Sequence, residues 1–166
     1  MEQIKIHVRR NPLYTEQDYR DICAQYRRRL LALCIPAGVL AAAAIAFFVL
    51  RIRWLTTVLT ILAGVYAVFF WGLFVSPVFS YRRHLDEVLH GRVRTAEGIF
   101  KEMEEEAVIR EGVKYYPMML SVGNPDSQED DRLFYYDANL PRPDWQPGER
   151  ITVTAHDKAL GAWARA

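Results

Sequence analysis

Residues 30–50 carry no charge, residues 54–80 carry none either, and between them stand Arg51 and Arg53. Each run exceeds the roughly 18 apolar residues that mark a candidate membrane span. At about 1.5 Å rise per residue, a helix over 30–50 reaches roughly 31 Å, close to one hydrocarbon core. A single helix over 30–80 would be roughly 76 Å long. It would also hold both arginines near its middle, at about 2.5–3.5 kcal/mol each. A hairpin avoids both costs. Arg51 and Arg53 then lie in headgroups and water at the far face, and Trp54 joins the aromatic belt there. The competing reading is a soluble helical pair. It leaves only 115 of 166 residues to cover two very apolar helices. A cleaved signal peptide is disfavoured too, because the apolar stretch is longer than the usual core of about 7–15 residues.

Orientation follows from charge. Lys5, Arg9, Arg10, Arg20, Arg27, Arg28 and Arg29 precede the first run, and Arg82, Arg83, Arg92 and Arg94 follow the second. The turn offers only two arginines, so the basic excess assigns both termini to the cytoplasm. Arg27, Arg28, Arg29, Arg51, Arg53, Trp54, Arg82 and Arg83 are the expected membrane-interface anchors. Cys23 and Cys34, on one helix, would be roughly 16 Å apart along the axis, beyond disulfide reach. They read as unpaired small hydrophobes, compatible with a reducing compartment.

Before the spans, residues 3–9 (QIKIHVR) alternate as a half-buried strand does, and Asn11-Pro12 is expected to end it. Thr15 with Asp18 forms a weaker version of a capping box. Tyr19, Ile22, Cys23, Tyr26 and Leu30 follow at helical spacing, so an amphipathic helix runs along the membrane or into the first span. Ala37, Gly38, Ala41, Ala42 and Ala44, with Ala63, Gly64, Ala67 and Gly72, let helices approach closely, within the hairpin or between copies. Residues 81–90 read as a short juxtamembrane helix stopped at Gly91.

Beyond it the pattern becomes extended. Stretches 93–103, 112–122, 131–137, 149–155 and 159–165 are separated by clusters of Gly, Pro, Asn and Asp, the mark of five short strands. Five strands in about 75 residues, with Gly98 as a bend point in a long first strand, fit a small barrel of OB-like layout; an SH3-like barrel and a small sandwich fit nearly as well. The expected fold class is therefore an α+β membrane protein, a two-helix transmembrane hairpin followed by a five-stranded OB-like β-barrel. The divisions are a cytoplasmic segment 1–29, a hairpin 30–80 (spans about 30–50 and 55–79), a juxtamembrane helix 81–90 and a cytoplasmic barrel 91–166. This order of parts resembles that of the NfeD-type membrane proteins. The likeness rests on no residue motif and transfers no site.

Residues 91–166 hold ten Lys and Arg against fourteen Asp and Glu, whereas residues 1–90 hold eleven against six. A net of −4 disfavours nucleic acid, whose phosphates need basic contacts, despite the barrel's aromatics. The basic half suits anionic lipid. The run 102–106 reads as a solvated connection or, through Glu102, Glu104, Glu105 and Glu106, as a surface for a basic partner. His84, Asp86, Glu87 and His90 include the i, i+3 spacing of helical metal sites, but the spans supply no further carboxylates. Neither span holds the charged groups that mark ion paths. No GxSxG, GxxxxGK[ST], HExxH or CxxC motif is present. No catalytic residue, cofactor or metal is expected. The expected role is a non-catalytic adaptor or accessory subunit at the cytoplasmic membrane face, its partners being membrane lipids and a membrane protein or further copies of itself. The alternative is a homo-oligomeric pore or transport component.

Overall fold

A computed structural model describes residues 11–123 and 128–166. The expected strand 3–9 lies outside them. Two compact units make up the chain: residues 20–82, and residues 83–166 together with the segment up to Tyr19. The elements in order are β1 (Asn11–Pro12), α1 (Glu16–Val49), α2 (Arg53–Phe70), a π-helical turn (Trp71–Val75), α3 (Ser76–His90), β2 (Val93–Met103), β3 (Val108–Arg110), β4 (Val113–Ser121), a 3-10 turn (Gln128–Asp130), β5 (Asp131–Asp137), β6 (Arg150–His156) and β7 (Ala159–Arg165).

The helical unit contains two helices long and apolar enough to cross a membrane. Thr15 starts α1 as the capping pattern requires. Its amide donates to Asp18 Oδ2 at 2.8 Å, and the Asp18 amide donates back to Thr15 Oγ1 at 3.3 Å. Hydrogen bonds from the Thr15 side chain and backbone hold the Asp18 carboxyl below its ordinary range. The helix then runs without a break through Pro36 into the first uncharged stretch. Residues Leu33, Ala37, Leu40, Ala44 and Phe47 of α1 lose exposure, as do Leu55, Leu59, Ala63, Tyr66 and Phe70 of α2. Both series step by three and four, the spacing of a helix–helix seam. Leu31, Ile35, Val39, Ile45, Phe48, Val58, Ile61, Val65, Val68 and Phe69 point outward and are exposed. Two side chains tie the helices together. Tyr66 Oη donates to the Ala32 carbonyl at 2.6 Å, and Arg29 Nη1 donates to the Phe74 carbonyl at 2.7 Å. Phe74 lies in the π turn, where a carbonyl diverted from the α-helical ladder can accept a bond from outside.

Gly38, Gly64 and Gly72 give a correction. A Cβ added at any of them would meet nothing within 4 Å, so these glycines do not serve close approach inside the hairpin. The expected small residues that do lie on the seam are Ala37, Ala44 and Ala63.

The turn between α1 and α2 closes with paired bonds. Arg51 N–H donates to the Phe48 carbonyl and Ile52 N–H to the Phe47 carbonyl, both at 3.0 Å. This is the Schellman arrangement, with Arg51 at φ 60 where glycine is usual. A left-handed non-glycine residue costs about 1–2 kcal/mol, partly offset by glycine's larger entropy loss of about 0.5–1 kcal/mol. Arg51→Gly is therefore expected to stabilise the hairpin by about 0.5–1 kcal/mol, read as a higher melting temperature in detergent micelles. An unchanged or lower value would mean that the arginine is not strained.

In the other unit, β2, β4, β5, β6 and β7 form a closed five-stranded barrel in the order β2–β4–β5–β7–β6 and back to β2. All neighbours are antiparallel except β5 and β7, which meet in parallel at Tyr135 and Ala159. β2 is long because it serves two partners. Val93–Ile99 pair with β6, and residues from Ile99 onward pair with β4. Gly98 makes the crossing possible, since a Cβ there would run into the Ser121 carbonyl. The core inside is Phe100, Met118, Leu120, Phe134, Tyr136, Trp145, Ile151, Val153, Ala155 and Leu160.

Two elements depart from expectation. β3 was not foreseen. It forms a hairpin with β4 through Glu111 and Gly112, both at positive φ (51° and 80°). Only Gly112 announces such a turn, and sequence reasoning had assigned it to the following strand. Asn11-Pro12, expected to be a break, pairs with Trp163 and Ala162 of β7. Proline is tolerated there because the pairing is at an edge and Leu13 N–H supplies the next bond, to the Gly161 carbonyl at 2.9 Å.

Candidate functional site

The expected anchors fall into separate groups. Arg51, Arg53 and Trp54 are all exposed at the hairpin turn, Trp54 at 69%. Arg27 and Arg28 are exposed, whereas Arg29 is half-buried and engaged with Phe74. The Arg82 guanidinium lies 5.0 Å from the Tyr26 ring centre and 5.9 Å from that of Phe79. Arg83 belongs to the barrel unit and pairs with Glu87 at 2.8 Å, one helical turn on. The fold thus brings Arg29 and Arg82 onto one pair of helices and directs Arg83 elsewhere.

Glu102, Glu104, Glu105 and Glu106 are all exposed at the end of β2 and the connection that follows. Arg142, from the proline-containing loop between β5 and β6, donates to the carbonyls of Glu104 (3.2 Å) and Glu105 (2.8 Å). Its guanidinium rests 3.8 Å from the Tyr116 ring centre. The clamp uses main-chain oxygens, so it fixes the path of this edge without neutralising its carboxylates directly. Glu102 also lines an open hollow with Lys101, Met119, Asp131 and Leu133. Within it, Lys101 pairs with Asp131 at 2.8 Å.

The densest titratable constellation is buried and was not foreseen as a unit. Tyr14, His84, Tyr115 and Asp137 are 4%, 6%, 7% and 1% exposed. Tyr14 Oη donates to Asp137 Oδ2 at 2.9 Å and lies 3.0 Å from His84 Nε2. Tyr115 Oη lies 2.9 Å from His84 Nδ1. Asp137 Oδ1 accepts from the backbone and side-chain N–H groups of Asn139, each at 2.8 Å.

Proton directions follow from this geometry. Tyr14 gives its only proton to Asp137, so its oxygen accepts from His84 Nε2. Burial lowers the His84 pKa against the pull of Asp137 and Glu87. Burial likewise raises the Tyr115 phenol far above its ordinary range. A neutral imidazole and a neutral phenol leave one arrangement, with Tyr115 donating to His84 Nδ1. The bonds run one way from Tyr115 through His84 and Tyr14 to Asp137. The relay cross-links the segment before α1, the middle of α3, β4 and β5.

Sequence reasoning had set His84 beside Asp86, Glu87 and His90. The structure turns it the other way, with Leu85 and Val88 on the buried face. That face was legible in the spacing of Tyr81, His84, Leu85 and Val88. His90 lies 3.1 Å from Asp86 Oδ1 and 3.3 Å from Glu16 Oε1. Among the described residues no group of three or more His, Cys, Asp or Glu is placed to hold a metal ion. Cys23 and Cys34 are free thiols.

No family model matches this chain, and no curated protein or solved structure is significantly similar to it.

Proposed function

We propose that this chain is an integral membrane protein whose hairpin crosses the bilayer with both termini in the cytoplasm. It carries an OB-like barrel there as a non-catalytic adaptor or accessory subunit. One observation carries the membrane reading. In the most apolar windows of the two long helices, only 11% and 6% of residues are buried. Apolar side chains exposed on this scale suit the hydrocarbon of a bilayer. The OB-like assignment draws support from the order of the five strands, the single parallel closure and the long, bent first strand. The adaptor role draws support from the exposed edge Glu102, Glu104, Glu105 and Glu106, a surface suited to a basic partner, and from the enclosure of the His84 relay.

The test is topological. The protein is expected to stay with membranes through alkaline carbonate washing, and a reporter fused after Ala166 is expected to be active only in its cytoplasmic form. Release into the wash, or an extracytoplasmic reporter, would refute the reading.

A second reading, the homo-oligomeric pore or transport component, is favoured by the open surroundings of Gly38, Gly64 and Gly72. Small residues free of the hairpin seam can admit a helix from another copy. Crosslinking in native membranes separates the two. A fixed ladder of self-multiples supports the oligomer, and a single product with another membrane protein supports the adaptor.

A further inference from the structure

Residues 20–82 contain seven arginines, no lysine and a single acidic residue, Asp21. Six of the seven lie in the stretch 22–82, which offers no carboxylate at all. Arg82 is the one set against an aromatic pair. Tyr26 of α1 and Phe79 of α3 pack together with ring centres 5.9 Å apart, and the Arg82 guanidinium lies against this pair, 5.0 Å from the first ring centre and 5.9 Å from the second. Its Nε is enclosed with no hydrogen-bond partner. On α1, Tyr26 and Arg29 share a face at i, i+3, and on α3 Phe79 and Arg82 do the same. Arg29 is held at the same end of the hairpin by its bond to the Phe74 carbonyl. It spends one Nη on that bond and keeps further donors.

We propose that Arg82, seated against the Tyr26–Phe79 ring pair on the same two helices as Arg29, is a phosphate-binding site, and that its occupant is the phosphate of a lipid headgroup. A guanidinium resting on a ring pair can present two parallel N–H donors to two phosphate oxygens, with less ordering left to do on binding. The fork is what distinguishes arginine here, since a lysine would supply the charge alone. The choice of a lipid rests on the membrane reading. Arg29 directly precedes the uncharged run 30–50, and Arg82 follows the run 54–80 by one residue, which is headgroup depth for a spanning hairpin.

The full chain in neutral detergent is titrated with dioctanoyl phosphatidic acid, dioctanoylglycerol and inorganic phosphate. Phosphatidic acid is expected to bind and dioctanoylglycerol is not. Arg82→Lys, which keeps the charge, should weaken binding at least about tenfold, the worth of one charge-assisted hydrogen bond. Arg82→Gln should weaken it further. Arg53→Gln, at the opposite turn, should leave it unchanged. Phosphatidic acid binding more tightly than inorganic phosphate, with Arg82 dependence in both, identifies the headgroup. Equal affinities with that dependence keep the phosphate site and make the free anion its occupant. Wild-type binding by both Arg82 variants, or an equal loss in Arg53→Gln, overturns the site. Carbonate washing reports on the membrane reading separately. Release of the chain with Arg82-dependent phosphate binding intact refutes the span and keeps the site.

Discussion

Trp145→Ala is expected to destabilise the barrel by about 3–5 kcal/mol, enough to consume much of the stability of an ordinary domain. The residue comes from an irregular, proline-containing loop, yet only 6% of it is exposed. Its indole packs edge-on against Phe100 (5.5 Å between ring centres), Tyr136 (5.9 Å) and Trp163 (5.1 Å). Truncation would leave a cavity walled by three rigid rings with little freedom to collapse. Tyr136 Oη donates to the Pro141 carbonyl at 2.7 Å and pins the same loop, so the cavity is unlikely to be filled by movement of the chain. Trp145→Phe serves as the control. The indole N–H is buried without a partner, and its removal relieves an unmet donor while most of the ring contact is kept. The phenylalanine variant should therefore lose no more than about 1.5 kcal/mol. Thermal melting in micelles, with amide exchange in β2 and β6 as a local probe, measures both. Similar losses in the two variants would mean that the loop does not seal the core.

Asp137→Leu is the second large effect, a loss of about 3–5 kcal/mol. The carboxylate accepts from Tyr14 and twice from Asn139, and leucine, though similar in size, accepts from none. The buried Tyr14 hydroxyl would lose its acceptor, and the relay would lose the group that sets its direction. The same cluster gives the protein an acid-sensitive stability. The unfolded chain binds a proton at His84 near pH 6.5, whereas burial holds the folded pKa below that value. Between those two values the unfolded state binds more protons, so stability rises with pH. The His84 contribution is complete above about 6.5 and is lost as pH falls toward the folded pKa. Tyr115 acts at the alkaline end. Its folded pKa lies above the ordinary 10.0, so its contribution is lost as pH rises past that value. The acid arm is checked by comparing melting temperatures of the wild type and His84→Gln from pH 7.5 to 5.5. The wild type should lose stability faster on acidification. Parallel curves would show that His84 titrates alike in both states. Asp137, Glu87 and Glu111 pull the His84 pKa upward and His156 pushes it down, so the measured slope is the balance of all of them.

The sequence by itself determined the two long apolar helices, the arginine-bearing turn between them and the extended character of the five barrel strands. These depend on properties that run along the chain. An uncharged stretch of sufficient length, a period near 3.6 or 2, and a cap at Thr15 are all legible without knowing any contact. Gly98 was legible for the same reason, as an interruption in an otherwise regular strand.

What only the tertiary structure decided are relations between distant positions. Tyr14, His84, Tyr115 and Asp137 are 123 residues apart at their extremes and carry no shared motif. They become one relay only because the barrel closes and the segment before α1 docks on it. Trp145 stands among prolines and charges, the local signature of a surface loop, and is buried because the loop folds back on the barrel. Small residues in the two apolar runs were legible, but which of them face the neighbouring helix was not. That is set by the rotation of each helix about its axis, which leaves Gly38, Gly64 and Gly72 outside the seam. Arg82 was legible as a charge at the end of an apolar run. Its seat against the Tyr26–Phe79 pair depends on residues more than 50 positions apart in sequence meeting, and no local pattern encodes that.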